Sequence, residues 1–221
     1  MATYVLIHGA GDVGWYWHLV DAELRERGHD VVAPDLPCDD DSAGLSEYAD
    51  AVVDAIGDHG ELVVVAQSFA GFTAPLVCDR TPVELLVLVA GLIPSPGEAP
   101  REWWANTGYE PEPGEWRGDV AATFYHDVPP ALAAEALKRG RVQSDTPTRE
   151  PWPLDAWPDV DTRFLLCRDD RLLPADFLRR VVRERLGIDP DEINSGHCVA
   201  LSRPKELADR LHAYRASQLG T

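Results

Sequence analysis

The chain has 221 residues, a length that allows one sizeable hydrophobic core and hardly two domains. Its 38 acidic and 20 basic residues give a formal net charge of −18. That balance argues against nucleic acid or an anionic membrane surface as a partner, because both need clustered lysine and arginine. The longest apolar run, residues 85–93, is too short to span a bilayer. We therefore expect a single domain over residues 1–221 that acts on a small molecule; a homodimer is left open.

The cysteines and the amino-terminal residues bear on the cellular compartment. The opening MATYVLIHGA has no basic leader before its apolar stretch, so no signal peptide is expected. No C-x-x-C pair occurs among the four widely spaced cysteines, which are Cys38, Cys78, Cys167 and Cys198. Such spacing is typical of reduced thiols rather than of a disulfide framework. We expect a cytoplasmic protein.

Short apolar runs alternate with stretches of helical periodicity along most of the chain. The runs that predict strands are, in chain order, TYVLIHG, VVAPDLP, LVVVAQS, ELLVLVAG, RFLLCRDD and DEINSGH. Most are continuously apolar, which is typical of parallel strands covered on both faces. Helices are predicted near residues 15–27, 46–56, 69–79, 175–186 and 205–216. The alternation indicates an α/β fold with a doubly wound, mostly parallel sheet.

The alternation breaks between about residues 92 and 161, a segment rich in proline and tryptophan. We interpret this segment, which includes the helical piece ALAAEALKRG, as a helical lid inserted over the carboxyl edge of the sheet. It holds five of the seven tryptophans: Trp103, Trp104, Trp116, Trp152 and Trp157. The indoles would favour an aromatic or alkyl substrate, but packing of the lid helices explains the same composition. Trp103, Trp104 and Trp15, at the start of the first predicted helix, are candidate substrate contacts.

The segment ELVVVAQSFAGF, residues 61–72, predicts a buried strand that runs into a sharp turn with Ser68 at its tip. In α/β proteins such a turn presents a hydroxyl nucleophile at the carboxyl edge of the sheet. Ala66 and Ala70 stand where the usual G-x-S-x-G pattern has glycines, and Gly71 gives further room. Small residues are needed there because the turn brings the backbone close to the neighbouring strand and helix.

A serine hydroxyl needs a base to take its proton and an acid to orient that base. His197 follows the last predicted strand and is the candidate base. The preceding strand is followed by Asp169 and Asp170, and we favour Asp170 because it lies further out, where the loop turns. Solvated turn residues remain the alternative for both aspartates. The chain order serine, aspartate, histidine supports the triad Ser68, Asp170 and His197.

Acyl transfer also needs two N–H donors for the developing oxyanion. The backbone amide of Phe69, directly after the nucleophile, is one candidate. The other is the amide of Ala10 in the loop HGAGDVGWYW, in which His8 is expected to brace the backbone rather than to transfer protons. Cys198, next to the candidate base, is a further candidate for substrate contact, although a buried inert thiol is the favoured interpretation.

Neither a metal site nor a cofactor is predicted from the sequence. It contains no H-x-x-x-H pattern and no clustered Cys/His spacing, so no metal site is expected. Gly9, Gly11 and Gly14 of HGAGDVG do have the G-x-G-x-x-G spacing, but the candidate serine, aspartate and histidine in this order favour a hydrolase over dinucleotide binding. We expect no cofactor.

The quoted motifs, in this order, resemble the α/β-hydrolase fold superfamily, and more narrowly its small branch of methylesterases and hydroxynitrile lyases. The resemblance rests on HGAGDVGWYW, VAQSFAG, CRDDRLLPADF and GHCVALSRP. LIPSPGE followed by EWW is also similar to bacterial hydrolases of undefined substrate in this group. Essentially the whole chain is covered, the lid least. The resemblance implies a catalytic triad of Ser68, Asp170 and His197.

Three positions refine what the resemblance implies. Gln67 stands where family members often have histidine, and Cys198 stands where hydroxynitrile lyases have the lysine that handles cyanide, so cyanohydrin cleavage is not expected. A serine at the elbow, rather than aspartate, argues against epoxide hydrolases and haloalkane dehalogenases. We expect a carboxylesterase-like serine hydrolase that cleaves a small, largely apolar ester through an acyl-enzyme. The alternatives are thioester or carbon–carbon bond cleavage at the same site, a lyase or cyclase step in natural-product metabolism, and a non-catalytic ligand-binding protein.

Overall fold

The structure is a computed structural model that describes residues 1–109 and 119–219. All six predicted strands are present, and every pair of neighbours is parallel. The spatial order is β2-β1-β3-β4-β5-β6. Their bounds are β1 Thr3–Ile7, β2 Asp30–Val32, β3 Leu62–Gln67, β4 Leu85–Val89, β5 Thr162–Cys167 and β6 Asp191–Ile193. The prediction of a doubly wound parallel sheet is therefore confirmed.

The central strands are apolar throughout because both faces of the sheet are covered. Successive side chains of a strand point to opposite faces, so Val64 packs in one core cluster and Val63 in the other. The helices that flank or follow the sheet strands are α1 His18–Glu26, α2 Leu45–Ile56, α3 Ala74–Arg80, α8 Ala175–Leu186, α9 Val199–Ser202 and α10 Pro204–Leu219. Helices α2, α3 and α8 cover the first face of the sheet, whereas α1 and α10 cover the second.

The predicted helix over residues 69–79 is interrupted. A 3₁₀ turn spans Ser68–Gly71, and the α-helix begins only at Ala74. Pro75, at the second position of α3, has no N–H to bond back to the preceding turn, so it marks a helix start. The nucleophile candidate thus lies on a short turn of its own rather than on the first turn of a long helix.

Between β4 and β5 the chain forms the insertion that the sequence indicated. Its described helices are α4 Pro100–Asn106, α5 Val120–Phe124, α6 Pro130–Arg139 and α7 Thr146–Arg149. Trp103 and Trp152 of this segment are fully buried in the first core cluster, and Trp104 and Trp157 pack against it. Trp116 lies outside the described residues.

Two further sequence-based expectations can be compared with the structure. Within residues 1–109 and 119–219, no helix has both the length and the apolar character that a membrane crossing requires. All four cysteines are free thiols.

Candidate active site

Ser68 occupies a strained turn at the carboxyl end of the central strand β3. Its φ of 54° lies in the left-handed region, which non-glycine residues rarely adopt. The turn is held against the loop after β4 by a hydrogen bond from the Leu92 amide to the Ser68 carbonyl, 2.9 Å long. A Cβ at Gly71 would lie 1.9 Å from the Leu92 carbonyl oxygen, so only glycine fits there. This geometry is that of a nucleophile elbow.

His197 and Asp170 form a buried pair at the ends of β6 and β5. The Nδ1 atom of His197 lies 2.7 Å from Oδ2 of Asp170, and both side chains are almost inaccessible to solvent. The other carboxylate oxygen accepts the main-chain N–H groups of Leu172 and Leu173, at 2.8 and 3.0 Å. The aspartate is therefore fixed in orientation, and it can hold the imidazole with a proton on Nδ1. Asp169, the competing sequence candidate, is exposed.

The loop after β1 approaches the elbow closely. A Cβ at Gly9 would lie 2.4 Å from Oε1 of Gln67 and 3.1 Å from Cβ of Ser68. His8 is fully buried; its Nδ1 lies 2.8 Å from the Gly9 carbonyl oxygen, and its Nε2 accepts the Leu36 N–H at 3.0 Å. Burial lowers the His8 pKa to about 4, which keeps the ring neutral. These contacts fit the bracing role predicted for His8.

One cavity of about 210 Å³ brings the candidate groups together. Ser68, Phe69, Ala10 and His197 all line it. Among the described residues, no hydrogen bond joins the Ser68 hydroxyl to His197, although both residues line the cavity. Most of the accessible wall is apolar. The arrangement brings the candidate nucleophile, the candidate base with its candidate orienting acid, and two candidate oxyanion donors to one place.

The candidate substrate contacts fare differently. Trp104 lines the cavity, but Trp103 does not: it is fully buried, and its indole N–H donates to the Ile93 carbonyl at 2.9 Å. Trp15 also lies outside the cavity wall, because its ring stacks on His18 with 4.2 Å between centroids. Of the three candidate indoles, only Trp104 is placed where a ligand in the cavity could touch it, and substrate contact by Trp104 stays a prediction.

Cys198 lines the cavity as an almost fully buried thiol. Burial raises its pKa well above the ordinary value, and the nearby carboxylate of Asp12 acts in the same direction. A neutral thiol is a poor nucleophile, so the inert interpretation of Cys198 is the one that the geometry favours. Tyr125, which interacts with this thiol, is a cavity residue that the sequence did not single out.

A second group of residues missed by the sequence supports the histidine loop. Oδ2 of Asp127 accepts the Gly196 N–H at 2.8 Å and the Ser195 hydroxyl at 3.3 Å, directly before His197. Its Oδ1 is buried without a partner among the described residues. His126 lies 3.0 Å from the Asp169 carbonyl oxygen through Nε2. The insertion thus contacts both the acid loop and the base loop, a link that only long-range geometry reveals.

Asp12 is an acidic residue of the cavity wall that has no role in the predicted triad. One carboxylate oxygen accepts the Val13 N–H at 2.9 Å, and no other hydrogen bond to its side chain occurs among the described residues. Burial raises the Asp12 pKa to about 6; the Val13 N–H opposes this shift and Asp35 adds to it. An acid placed in an apolar cavity without a cation is an unusual use of a carboxylate.

The match to known proteins extends over nearly the whole chain. Probable esterase PIR7A of Oryza sativa subsp. indica is 27% identical over 248 residues, covering 94% of each chain. Methylesterase 7 of Arabidopsis thaliana is 25% identical over 240 residues, covering 92% of each. The crystal structure of polyneuridine aldehyde esterase shares the fold, with a TM-score of 0.83 at 17% identity over 97% of this chain and 99% of that one. The family model described as "Alpha/beta hydrolase family" matches residues 4–210, and the chain therefore belongs to the alpha/beta hydrolase family.

Proposed function

We propose that this protein is a serine hydrolase that cleaves small, largely apolar carboxylic esters through an acyl-enzyme. The observation that carries the proposal is a strained serine, Ser68, in one cavity with His197, whose ring is paired to Asp170. The esterase and methylesterase names of the relatives support the ester class. The cavity, at about 210 Å³, is smaller than pockets for drug-sized ligands, which favours a short acyl group.

The reaction follows from the placement of these groups. Nε2 of His197 takes the hydroxyl proton as the Ser68 oxygen attacks the ester carbonyl, and Asp170 stabilises the imidazolium that forms. The amides of Ala10 and Phe69 donate to the oxyanion; the Phe69 N–H lies at the start of the 3₁₀ turn Ser68–Gly71, where it has no partner within the turn. The imidazolium then protonates the leaving alcohol, and water deprotonated by the same base releases the acid.

The insertion between β4 and β5 is proposed to act as a lid. It contributes Leu92, Trp104, Phe124 and Tyr125 to the wall of the cavity that holds the proposed catalytic groups. The Phe124 ring lies edge-on to the His197 ring, with 5.3 Å between centroids. Excluding water from this space would strengthen the hydrogen bonds to the oxyanion.

The test pairs fluorophosphonate labelling with hydrolysis of p-nitrophenyl acetate and butyrate. Ser68→Ala should lose both signals, whereas Ser217→Ala, which alters an exposed serine on α10, should keep both. Labelling without ester turnover would contradict ester hydrolysis and favour thioester or carbon–carbon cleavage, or a lyase or cyclase reaction. Folded wild-type protein that gives neither signal would refute the triad and favour a ligand-binding protein.

A further inference from the structure

A surface groove of about 460 Å³ continues from the active-site cavity. The two spaces share Ala10, Asp12, Phe124 and Tyr125 as walls. The groove runs between the loop after β1 and helix α6, and its far part is lined by the apolar side chains of Val120, Leu137 and Val142. It is therefore an extension of the site that begins at the candidate oxyanion donor Ala10.

Solvent-exposed apolar side chains border the groove. Single exposed hydrophobic side chains are normal, but here three lie around one groove: Val120 is 53%, Leu137 45% and Val142 82% exposed. In the described part of the chain, the only other large hydrophobic residue with comparable exposure is Met1. Three such side chains around one groove suit an apolar group of a ligand.

Two hydrogen bonds of the Gly11 main chain hold the floor of the groove. The Arg141 N–H donates to the Gly11 carbonyl at 2.7 Å, and the Gly11 N–H donates to Oε1 of Gln143 at 3.0 Å. A Cβ at Gly11 would lie 2.8 Å from the Arg141 carbonyl oxygen, and φ there is +65°. These hydrogen bonds join the loop after β1 to the segment that follows α6, so the shape of the groove is fixed by the protein itself.

Where the cavity and the groove meet, the nearby arginine is already ion-paired, but the aspartate is not. The Arg141 guanidinium is already paired with Asp35, at 2.8 Å, and lies 3.6 Å from Asp39. Asp12, where cavity and groove meet, has no ion-pair partner among the described residues, and only one of its oxygens is hydrogen-bonded. An ionised carboxylate in an apolar site is stabilised when a ligand brings a cation to it.

We propose that the groove is a second substrate subsite, in which Asp12 binds a protonated amine carried by the distal, otherwise apolar half of the ester. This inference rests on the proposed ester hydrolysis and adds the chemical class of substrate. Because a hydrogen bond between charged groups is stronger than one between neutral groups, the amine should raise kcat/KM by about ten- to a hundredfold over an uncharged isostere.

Matched esters test the inference at neutral pH. On the alcohol side, 3-(dimethylamino)propyl butyrate is compared with 4-methylpentyl butyrate; on the acyl side, propyl 4-(dimethylamino)butanoate is compared with propyl 5-methylhexanoate. The wild type should prefer the amine in one of the two pairs. Asp12→Asn, whose amide oxygen can still accept the Val13 N–H, should abolish that preference. Asp54→Asn changes the net charge equally on the exposed face of α2 and should keep it.

A second variant covers the case in which Asp12→Asn does not fold. Leu137→Lys places a positive charge on the exposed groove wall and should lower the preference for the amine ester. Equal kcat/KM values within both wild-type pairs, or a preference that persists in Asp12→Asn and Leu137→Lys, would overturn the subsite. Turnover without preference refutes this inference alone, whereas absence of both turnover and fluorophosphonate labelling refutes the proposed function with it.

Discussion

Replacing Asp170 with asparagine should disable the base without disturbing the loop. One carboxylate oxygen accepts the amides of Leu172 and Leu173, and the other faces Nδ1 of His197 at 2.7 Å. An asparagine keeps the two main-chain donors only if its amide oxygen takes the first position, which turns its NH₂ group towards Nδ1. Nδ1 must then accept, so the neutral ring carries its proton on Nε2, where it cannot take the proton of Ser68.

The size of the loss follows from that tautomer. The base is lost, but the oxyanion donors and the cavity remain, so kcat/KM should fall by about 10³–10⁴-fold. This corresponds to about 4–5.5 kcal/mol of transition-state stabilisation. Folding should be retained because both main-chain hydrogen bonds to residue 170 are kept.

Asp169→Asn is the matched control, since that side chain is exposed and adjacent in sequence. The assay compares kcat/KM for p-nitrophenyl butyrate, with thermal unfolding as a check on the fold. Asp169→Asn should stay close to wild type. The assignment of Asp170 is refuted if Asp170→Asn retains activity within tenfold of the wild type, or if Asp169→Asn loses more.

Substitutions at three further positions test contacts around the site and within the fold. Asp127→Ala should lower kcat by about ten- to a hundredfold with little change in KM, because the Gly196 N–H loses its acceptor. Asp127→Asn, which keeps an acceptor oxygen, should restore kcat. Equal losses of kcat in the two variants would contradict a positioning role for Asp127. Glu98→Gln should cost about 3 kcal/mol at pH 7 by leaving the Arg185 guanidinium without its carboxylate. Burial would raise the Glu98 pKa, but hydrogen bonds from Arg185 hold it below its usual range. The stability that this pair contributes is therefore fully present above the ordinary pKa of a glutamate, and it is lost as pH falls through the lowered pKa of Glu98. The unfolding temperatures of Glu98→Gln and wild type should converge in acid. Gly71→Ala, which directs a methyl group at a carbonyl oxygen 1.9 Å away, should abolish fluorophosphonate labelling; normal labelling would show that the elbow is not constrained as described.

Local pattern was sufficient to predict the sheet and the elbow. Parallel strands covered on both faces have continuous apolar runs, and the turn at Ser68 requires small neighbouring residues. Both features can therefore be recognised from residues that are close together in the sequence. The break before Ala74 was missed because a proline inside a helical pattern can either start or kink a helix, and here it marks the start.

Contacts between distant segments could not be predicted in the same way. Tryptophan content alone does not distinguish Trp104, which lines the cavity, from Trp103, which is fully buried. Asp127 meets the histidine loop across 69 residues of chain, and no local spacing encodes such a contact. Asp12 stood inside a quoted motif, but its place in the cavity wall depends on how the loop folds back.

The order of the strands also has a consequence for how the enzyme becomes active during synthesis. β6 is a three-residue strand at the edge of the sheet, hydrogen-bonded to β5 alone, and the loop after it carries His197. During synthesis the segment that carries Ser68 leaves the ribosome well before this strand, so the proposed nucleophile is made before its proposed base. Under mild denaturant, fraying of the same edge would remove esterase activity before the core opens. Activity in this molecule should therefore report the integrity of a three-residue edge strand, the last of the six in chain order.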